Sequence, residues 1–349
     1  MNVRHVLLLA VLVATGCLNQ SSLSQRVPDR MSSLPPDVVK MTPDMDLCPP
    51  VLHSAEWEDP VPVPGLLNTA GAEDSPFVFP EGNTLYFFFT PDVRKSPQEQ
   101  LVDGVTGIYV TKKEGEVWGT AERVILEDPG ELALDGCAFI DQNMMWFCSV
   151  RHGNLREIDI YTAEFKDGRW TSWKDAGKTL NVEYEIGELH ICGDELYFHS
   201  PRDGGKGEYD IWVCRRVDGE WQPPENVEAV NTPENEGWPF LTEDGTELWF
   251  TRTYQGSPAI FRSKRIDGEW SEPDLIISQF AGEPTLDRAG NIYFVHHFVN
   301  ENGIVEADIY VAYQKATPGP AVTLFSPSLH KRCITLIFLI RESCCTVFW

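Results

Sequence analysis

The chain has 349 residues, of which 28 are Lys or Arg and 53 are Asp or Glu, so its formal net charge is −25. Proteins that bind nucleic-acid phosphates or anionic lipid surfaces carry clusters of Lys and Arg, so this balance excludes both classes of partner. The hydrophobic fraction of 42%, with 11 Trp, 10 Tyr and 18 Phe, excludes a disordered acidic chain and predicts a sizeable core.

The first segment, residues 1–17, has the pattern of a lipoprotein-type signal peptide. Arg4 provides the positive start, and the apolar run from Val6 to Val13 is too short to span a bilayer. Small residues then precede Cys17, which resembles the bacterial or archaeal lipobox, where the cysteine is lipidated and begins the mature chain. The alternative is an ordinary cleaved secretory peptide. We therefore expect an exported protein, periplasmic or at the cell surface, anchored only through lipidated Cys17.

Two segments flank the expected folded body. Residues 18–55 are rich in Ser, Pro and Met without an apolar period, which predicts a flexible tether. Residues 316–349 differ sharply in composition from the preceding chain, so we expect this tail to lie outside the fold. Residues 56–315 contain 48 of the 53 acidic residues, so the acid excess belongs to the body.

A repeat of three anchors runs through residues 56–315. The first anchor is an aromatic residue followed by Phe: Tyr86-Phe87, Trp146-Phe147, Tyr197-Phe198, Trp249-Phe250 and Tyr293-Phe294. The second is Ile followed by an aromatic residue: Ile108-Tyr109, Ile160-Tyr161, Ile211-Trp212, Ile260-Phe261 and Ile309-Tyr310. The third is a Trp after a tight turn: Trp118, Trp170, Trp221 and Trp270. The Ile anchors are spaced 52, 51, 49 and 49 residues apart, a period typical of a β-propeller.

Each repeat predicts four strands, which we call A to D. Asp-Gly pairs such as Asp167-Gly168 lie between the second and third anchors and predict the C–D hairpins. The fifth repeat lacks its strand D, whereas Glu56-Trp57 supplies a matching strand at the start of the body. The sequence therefore predicts an all-β, five-bladed propeller of four-stranded blades over residues 56–315, closed by the N-terminal strand around Trp57.

The third and fourth repeats carry a family resemblance. The stretch from Pro201 to Phe250, PRDGGKGEYDIWVCRRVDGEW…NTPENEGWPFLTEDGTELWF, resembles the WD-like propeller repeats of TolB-type periplasmic proteins. This resemblance implies the fold and export, and for most such proteins it implies binding rather than chemistry. It does not identify a ligand.

The end of the propeller where each strand A begins, which we call the top face, collects charged residues. An acidic residue lies near the start of every strand A, and basic or titratable residues lie near the ends of the B strands. The predicted ligand-binding residues are Glu73, Asp74, Asp135, Glu188, Arg202, Glu236, Arg252, Glu283 and His296. These acids serve either as blade-to-blade ion pairs or as a carboxylate ring that binds a cation or a neutral polar ligand.

The predicted function is a binding or scaffold module that acts through this acidic top face. We expect a monomer whose partner is an envelope protein or a glycan, with no cofactor apart from a cation at the channel mouth. No metal site is predicted, because the histidines lack a dependable ligand spacing.

The alternative function is hydrolysis of glycosides. Five-bladed glycoside hydrolases of the arabinanase and xylosidase type place three carboxylates at the starts of strand A in the first three blades, and the residues here are Asp74, Asp135 and Glu188. An inverting mechanism needs two carboxyl groups about 6.5–9.5 Å apart. Trp238 and Phe77 are the candidate sugar-binding aromatics.

Two cysteines, Cys137 and Cys148, flank the predicted A–B turn of the second repeat almost symmetrically. Because an exported protein folds in an oxidising compartment, the sequence predicts a disulfide between them.

Overall fold

A computed structural model describes residues 29–316 of the chain. The predicted signal peptide with Cys17, residues 18–28 and all but the first residue of the predicted tail lie outside the described residues. The described chain is almost entirely β-structure. Within it, no helix has the length and apolar character needed to cross a membrane.

The N-terminal part carries two 3-10 turns, Met31–Ser33 and Pro43–Met45, and two short strands, β1 (Val51–Leu52) and β2 (Val61–Pro62). The next strands are β3 (Ala72–Val78), β4 (Thr84–Thr90), β5 (Gly107–Glu114), β6 (Val117–Trp118) and β7 (Glu122–Arg123). They are followed by β8 (Ala133–Asp141), β9 (Met144–Arg151), β10 (Asp159–Lys166) and β11 (Arg169–Asp175). Helix α1 (Pro97–Leu101) lies between β4 and β5, and a π-helical turn (Thr179–Glu183) follows β11.

The second half of the chain continues with short strands. They are β12 (Leu189–Cys192), β13 (Glu195–Ser200), β14 (Asp210–Val217), β15 (Glu220–Trp221) and β16 (Glu225–Asn226). Then come β17 (Glu236–Leu241), β18 (Glu247–Tyr254), β19 (Ser257–Ile266), β20 (Glu269–Trp270) and β21 (Asp274–Ser278). The last strands are β22 (Ala281–Leu286), β23 (Ile292–Asn300) and β24 (Gly303–Ala312).

Consecutive strands pair antiparallel and form radial groups. The orders are β3-β4-β5, β8-β9-β10-β11, β12-β13-β14, β17-β18-β19-β21 and β22-β23-β24, and a single parallel bridge joins Ala307 of β24 to Ala72 of β3. The first strand of each group packs beside the first strand of the next, and β22 packs beside β3. Repeated up-and-down groups with their first strands innermost are the β-propeller fold.

The local sequence signals are found where the repeat predicts them. Asp167 and Gly168 have φ values of 53° and 79° and connect β10 to β11, so this predicted Asp-Gly hairpin is confirmed. The aromatic anchors lie at one register position in β4, β9, β13, β18 and β23. Most are buried, as at Tyr197 and Trp249, because these second strands are covered by neighbouring groups on both faces.

The N-terminal strand β2 pairs antiparallel with β24, and Trp57 forms an isolated bridge with Gln314. Upstream, β1 pairs with the outer strand β21. The segment 29–55 therefore differs from the flexible tether that the sequence predicts. It contacts the propeller through charged groups and a short strand, and such contacts leave no apolar period in the sequence.

Gly65 lies where this N-terminal strand meets the first group. Its φ is +112°, and a Cβ at this position would lie 2.2 Å from the carbonyl oxygen of Trp118. We expect Gly65→Ala to lower the free energy of unfolding by at least the cost of the backbone conformation, about 1–3 kcal/mol, with the clash in addition. Urea denaturation would measure this difference.

Gly153→Ala is the matched control, because Gly153 has φ +96° but a Cβ there would meet nothing within 4 Å. The two variants share the backbone strain and differ in the clash. Equal losses in both variants would contradict the close packing of Gly65 against Trp118.

Candidate functional site

The innermost strands carry a backbone bulge near the propeller axis. Residues at the bulge have left-handed φ values in four strands: Ser75 (46°), Cys137 (55°), Trp238 (51°) and Glu283 (55°). Glu188 occupies the same register before β12, because all five residues lie two positions before the partner of an aromatic anchor. The bulge turns these side chains toward the axis.

These five residues and the two that follow each of them surround a cavity of about 50 Å³, which we call the mouth cavity. Its lining is Ser75, Pro76, Phe77, Cys137, Ala138, Phe139, Glu188, Leu189, His190, Trp238, Pro239, Phe240, Glu283, Pro284 and Thr285. Each innermost strand contributes three consecutive residues.

Glu188 is the best-connected side chain of the mouth cavity. Its Oε1 accepts hydrogen bonds from Trp238 Nε1 at 2.7 Å and from Cys137 Sγ at 3.0 Å. Asp74 lies at the edge of the same region, where its Oδ2 is 3.8 Å from His297 Nε2. We call Asp74, Glu188 and Glu283 the mouth cluster.

Removal from water and mutual repulsion change the acidity of this cluster. Burial raises the pKa of Glu188 well above its usual range, and the neighbouring Cys137 and Asp74 add to the increase. Burial also raises the pKa of Glu283 well above its usual range, with Asp74 and Glu188 as the next causes. The arrangement favours protonated carboxyls until a positive charge enters.

The other acids of the predicted ring face away from the axis. Glu73, Asp135 and Glu236 are buried and pair with guanidinium groups: Arg30 at 3.0 Å, Arg151 at 2.5 Å and Arg252 at 2.7 Å. The reason is that successive side chains of a strand point to opposite faces. Asp135 pairs with Ser149 at the same register position at which Glu73 pairs with Phe89. Asp135 is therefore equivalent to Glu73 rather than to Asp74, and it does not line the mouth cavity.

The three predicted basic residues also lie outside the mouth cavity. His296 is fully buried, and its Nε2 lies 2.7 Å from Asp46 Oδ2 in the N-terminal segment. Arg252 donates to Glu236 and to the Val230 carbonyl. The Arg202 guanidinium lies over the Trp212 ring, with 4.9 Å between the guanidinium carbon and the ring centroid.

Cys137 and Cys148 are both free thiols in the structure, so the predicted disulfide is not present. The register pairs Gly136 with Cys148, and Cys137 follows in the bulge, where its thiol donates to Glu188. Hydrogen bonding to Cys148 and burial raise the pKa of the Cys137 thiol well above its usual value. The thiol therefore keeps its proton and acts as a hydrogen-bond donor in the mouth cavity.

Sequence reasoning missed the bulge as the feature that selects residues for the axis. A signal was present, because Ser75, Trp238 and Glu283 each precede a proline, as in Ser75-Pro76-Phe77 and Trp238-Pro239-Phe240. A recurring position just before Pro would have identified Trp238 as a residue near the axis, whereas Cys137 and Glu188 precede Ala138 and Leu189 and carry no such signal.

A second, larger cavity of about 750 Å³ opens at the opposite end, where Trp57, Arg262 and Arg288 are among its lining residues. It shares Phe77, Phe139, His190 and Phe240 with the mouth cavity, so these side chains form the constriction between the two. Burial lowers the pKa of His190 to about 3, which keeps this ring neutral near pH 7. Within residues 29–316, no group of three or more His, Cys, Asp and Glu side chains is arranged to hold a metal ion.

No family model and no curated protein matches the chain. Among solved structures, a protein of unknown function from Dyadobacter fermentans is 13% identical with a TM-score of 0.47, and the match covers 75% of this chain and 100% of that one. An endo-arabinase from Bacteroides thetaiotaomicron is 14% identical with a TM-score of 0.47, covering 72% and 98%. TolB from Acinetobacter baumannii is 12% identical with a TM-score of 0.40, covering 70% and 55%. At these identities the likeness concerns the fold alone.

Proposed function

We propose that this chain is an exported, lipid-anchored, five-bladed β-propeller of the TolB type that acts as a binding module. The contacts that run from β3 through β8, β12, β17 and β22 back to β3 support five blades in a ring. The pairing of β2 with β24 supports closure by the N-terminal strand. The repeat pattern and the Cys17 motif support the family, the export and the periplasmic or cell-surface location.

The ligand site of this proposal is the mouth cluster on the top face. The observation that carries it is the placement of Glu188 and Glu283 on a small cavity with Asp74 beside them, where Glu283 Oε2 is buried and has no hydrogen-bond partner among the described residues. The repeated acids are neutralised by guanidinium groups, whereas no Arg or Lys contact is found for the mouth cluster within residues 29–316.

The cavity size indicates what enters the site. A volume of about 50 Å³ is comparable to one or two water molecules at about 30 Å³ each, and is much smaller than typical ligand pockets of about 300–1,000 Å³. An ammonium group fits both the volume and the charge, and the Trp238 ring offers a further cation contact. The partner is therefore an envelope protein or a glycan that inserts an amine into the mouth cavity.

We expect a chitosan oligomer, whose sugars carry free amines, to bind more tightly than the matching N-acetylated oligomer. Its affinity should rise with pH up to the amine pKa, because Glu188 and Glu283 have raised pKa values and must lose protons before they attract a cation. Isothermal titration calorimetry at several pH values would measure the affinity and the released protons.

Glu188→Gln and Glu283→Gln should each weaken this binding by about tenfold or more, which is about 1.4 kcal/mol. Glu269→Gln is the control, because it makes the same change of charge at the exposed start of β20. Equal affinity of the acetylated and free-amine oligomers, or unchanged binding in both mouth variants, would contradict the proposed site.

Glycoside hydrolysis remains the second candidate because Glu188 has the raised pKa of a general acid and a tryptophan beside it. The burial of Asp135 against Arg151 and the small mouth cavity weigh against it. Turnover of an aryl-glycoside and arabinan panel that is lost in both Asp74→Asn and Glu188→Gln would favour the hydrolase over the binding module.

A further inference from the structure

Four cations that lie over aromatic rings have a carboxylate partner, and three of them are largely buried whereas Lys40 is partly exposed. The pairs are Arg30 with Glu73, Arg151 with Asp135, Arg252 with Glu236, and Lys40 with Asp308. The corresponding rings are Phe89, Tyr161, Phe261 and Phe298. A counter-charge is expected in each case, because a buried charge without a partner is strongly destabilising.

The group built on β12, β13 and β14 has the cation and the ring. Arg202 is equivalent to Arg151, since each lies five residues after an aromatic anchor, Tyr197 or Trp146. Arg202 lies 4.9 Å from the Trp212 ring centroid, and Arg151 lies 4.5 Å from that of Tyr161. The two blades therefore share this half of the arrangement.

The carboxylate is missing from that group. Phe139 and His190 are equivalent, because each pairs with the aromatic anchor of its group. Asp135 lies four residues before Phe139, whereas Ile186 lies four residues before His190. Ile186 is buried in the hydrophobic core. The acid that neutralises Arg151 in the second group thus has no counterpart beside Arg202.

The hydrogen bonds differ accordingly. Arg151 donates from all three nitrogens, to Ser149 Oγ at 2.7 Å, the Leu126 carbonyl at 3.1 Å and Asp135 Oδ1 at 2.5 Å. Within the described residues, Arg202 Nε and Nη1 and Trp212 Nε1 are buried and have no acceptor. The site therefore presents unpaired hydrogen-bond donors beside a single positively charged guanidinium.

We infer that Arg202 and Trp212 form a binding site for the carboxylate group of a small organic acid. A carboxylate accepts charge-assisted hydrogen bonds from a guanidinium, and it would restore the partner that Asp135 and Glu236 provide in other groups. Arg202 is partly exposed, and the neighbouring residues Pro201 and Asp203 are exposed, so the site adjoins solvent. It lies apart from the mouth cluster, has the opposite charge preference, and does not depend on the proposed function.

The test follows the Trp212 indole N–H resonance, assigned with Trp212→Phe, while sodium acetate replaces sodium chloride at constant ionic strength and pH 7. We expect a saturable shift with acetate and none with chloride. Glucuronate against glucose, and N-acetylglycine against its amide, then distinguish an acid sugar from a peptide-like carboxylate as the preferred source.

Arg202→Met should weaken the acetate response by at least about tenfold, because it keeps an apolar stem on the ring and removes the guanidinium. Ile186→Asp should also abolish the response, since it supplies the carboxylate from within the chain. Arg216→Met is the matched control, because Arg216 lies 4.3 Å from the Trp221 ring centroid on the same blade. An equal response to chloride and acetate, or a full response in Arg202→Met, would overturn the inference.

Discussion

Replacing Trp57 by alanine is expected to lower the free energy of unfolding by about 3–5 kcal/mol. Trp57 is 1% exposed, and its ring packs edge-to-face on Trp249 with 5.5 Å between centroids. Its Nε1 donates to the Gly290 carbonyl at 2.8 Å, and Arg262 lies over the ring at 5.2 Å. Because this one residue joins the N-terminal strand to two groups of strands, urea denaturation should show the loss directly.

Trp57→Phe provides the graded control, since it keeps an aromatic ring and removes the hydrogen-bond donor. We expect it to lose about 1–3 kcal/mol, because the Gly290 carbonyl is left without its donor. Val61→Ala, at a half-exposed position of β2, should change stability by no more than about 0.5 kcal/mol. A Trp57→Ala variant as stable as Val61→Ala would show that the N-terminal strand does not hold the ring together.

The second large effect is expected for Arg30→Met at pH 8. Glu73 is fully buried, and the Arg30 guanidinium donates to it at 3.0 Å and to the Leu66 carbonyl at 3.0 Å. Removing one partner of a buried ion pair costs about 3–5 kcal/mol, because the remaining charge has no compensation. Thermal and urea unfolding of the two proteins would measure the difference.

The same variant carries a pH dependence with a defined sign. Burial raises the pKa of Glu73 from its ordinary value of 4.5 to about 7, with Arg30 acting against the increase. The folded protein therefore binds this proton more tightly than the unfolded chain, so the contribution of Glu73 to stability falls as the pH rises from about 4.5 through about 7. Without Arg30 the pKa is higher still, and the penalty should grow between pH 5 and pH 8.

Glu73→Gln in the Arg30→Met background is the control for this interpretation. It removes the charge and keeps one acceptor oxygen for the Thr69 backbone N–H, which donates to Glu73 Oε2 at 2.9 Å, while the Thr69 hydroxyl, which donates to Oε1 at 2.7 Å, can accept from the new amide. We expect the double variant to recover part of the lost stability at pH 8 and to lose the pH dependence. A stability difference for Arg30→Met that is the same at pH 5 and pH 8 would contradict the buried-charge explanation.

The β-structure and its repeat could be predicted from short-range patterns. Asp167-Gly168 specifies a hairpin because both residues accept positive φ, and the aromatic anchors specify second strands because they fit a sheet buried on both sides. The match between Glu56-Trp57 and Glu220-Trp221 predicted the strand that pairs with β24. These features depend on a few neighbouring residues and recur, so the sequence displays them.

The composition of the candidate site was only partly predictable. Of the predicted residues, Glu188 and Glu283 line the mouth cavity and Asp74 lies beside them, whereas Asp135 belongs to the buried ion pairs. A register difference of one residue moves a side chain to the other face of a strand, and the bulges that set this register are not visible as a simple alternation.

The role of residues 29–55 could not be predicted at all. Arg30 pairs with Glu73, Lys40 with Glu306 and Asp308, and Asp46 with His296. These partners lie 43 to 268 positions away along the chain. Such contacts depend on where two distant segments meet, and a polar segment without an apolar period gives no sign of them.

The sequence by itself determined the all-β repeat, its period and the concentration of acid in residues 56–315. Only the tertiary structure decided what the acids do: three of the predicted ring acids lie against guanidinium groups, three lie at or beside the mouth cavity, and one expected acid is absent beside Arg202. The physical reason is that strand formation follows from local conformational preference, whereas the charge state and accessibility of a carboxyl depend on which cation is brought near it by packing of the whole ring.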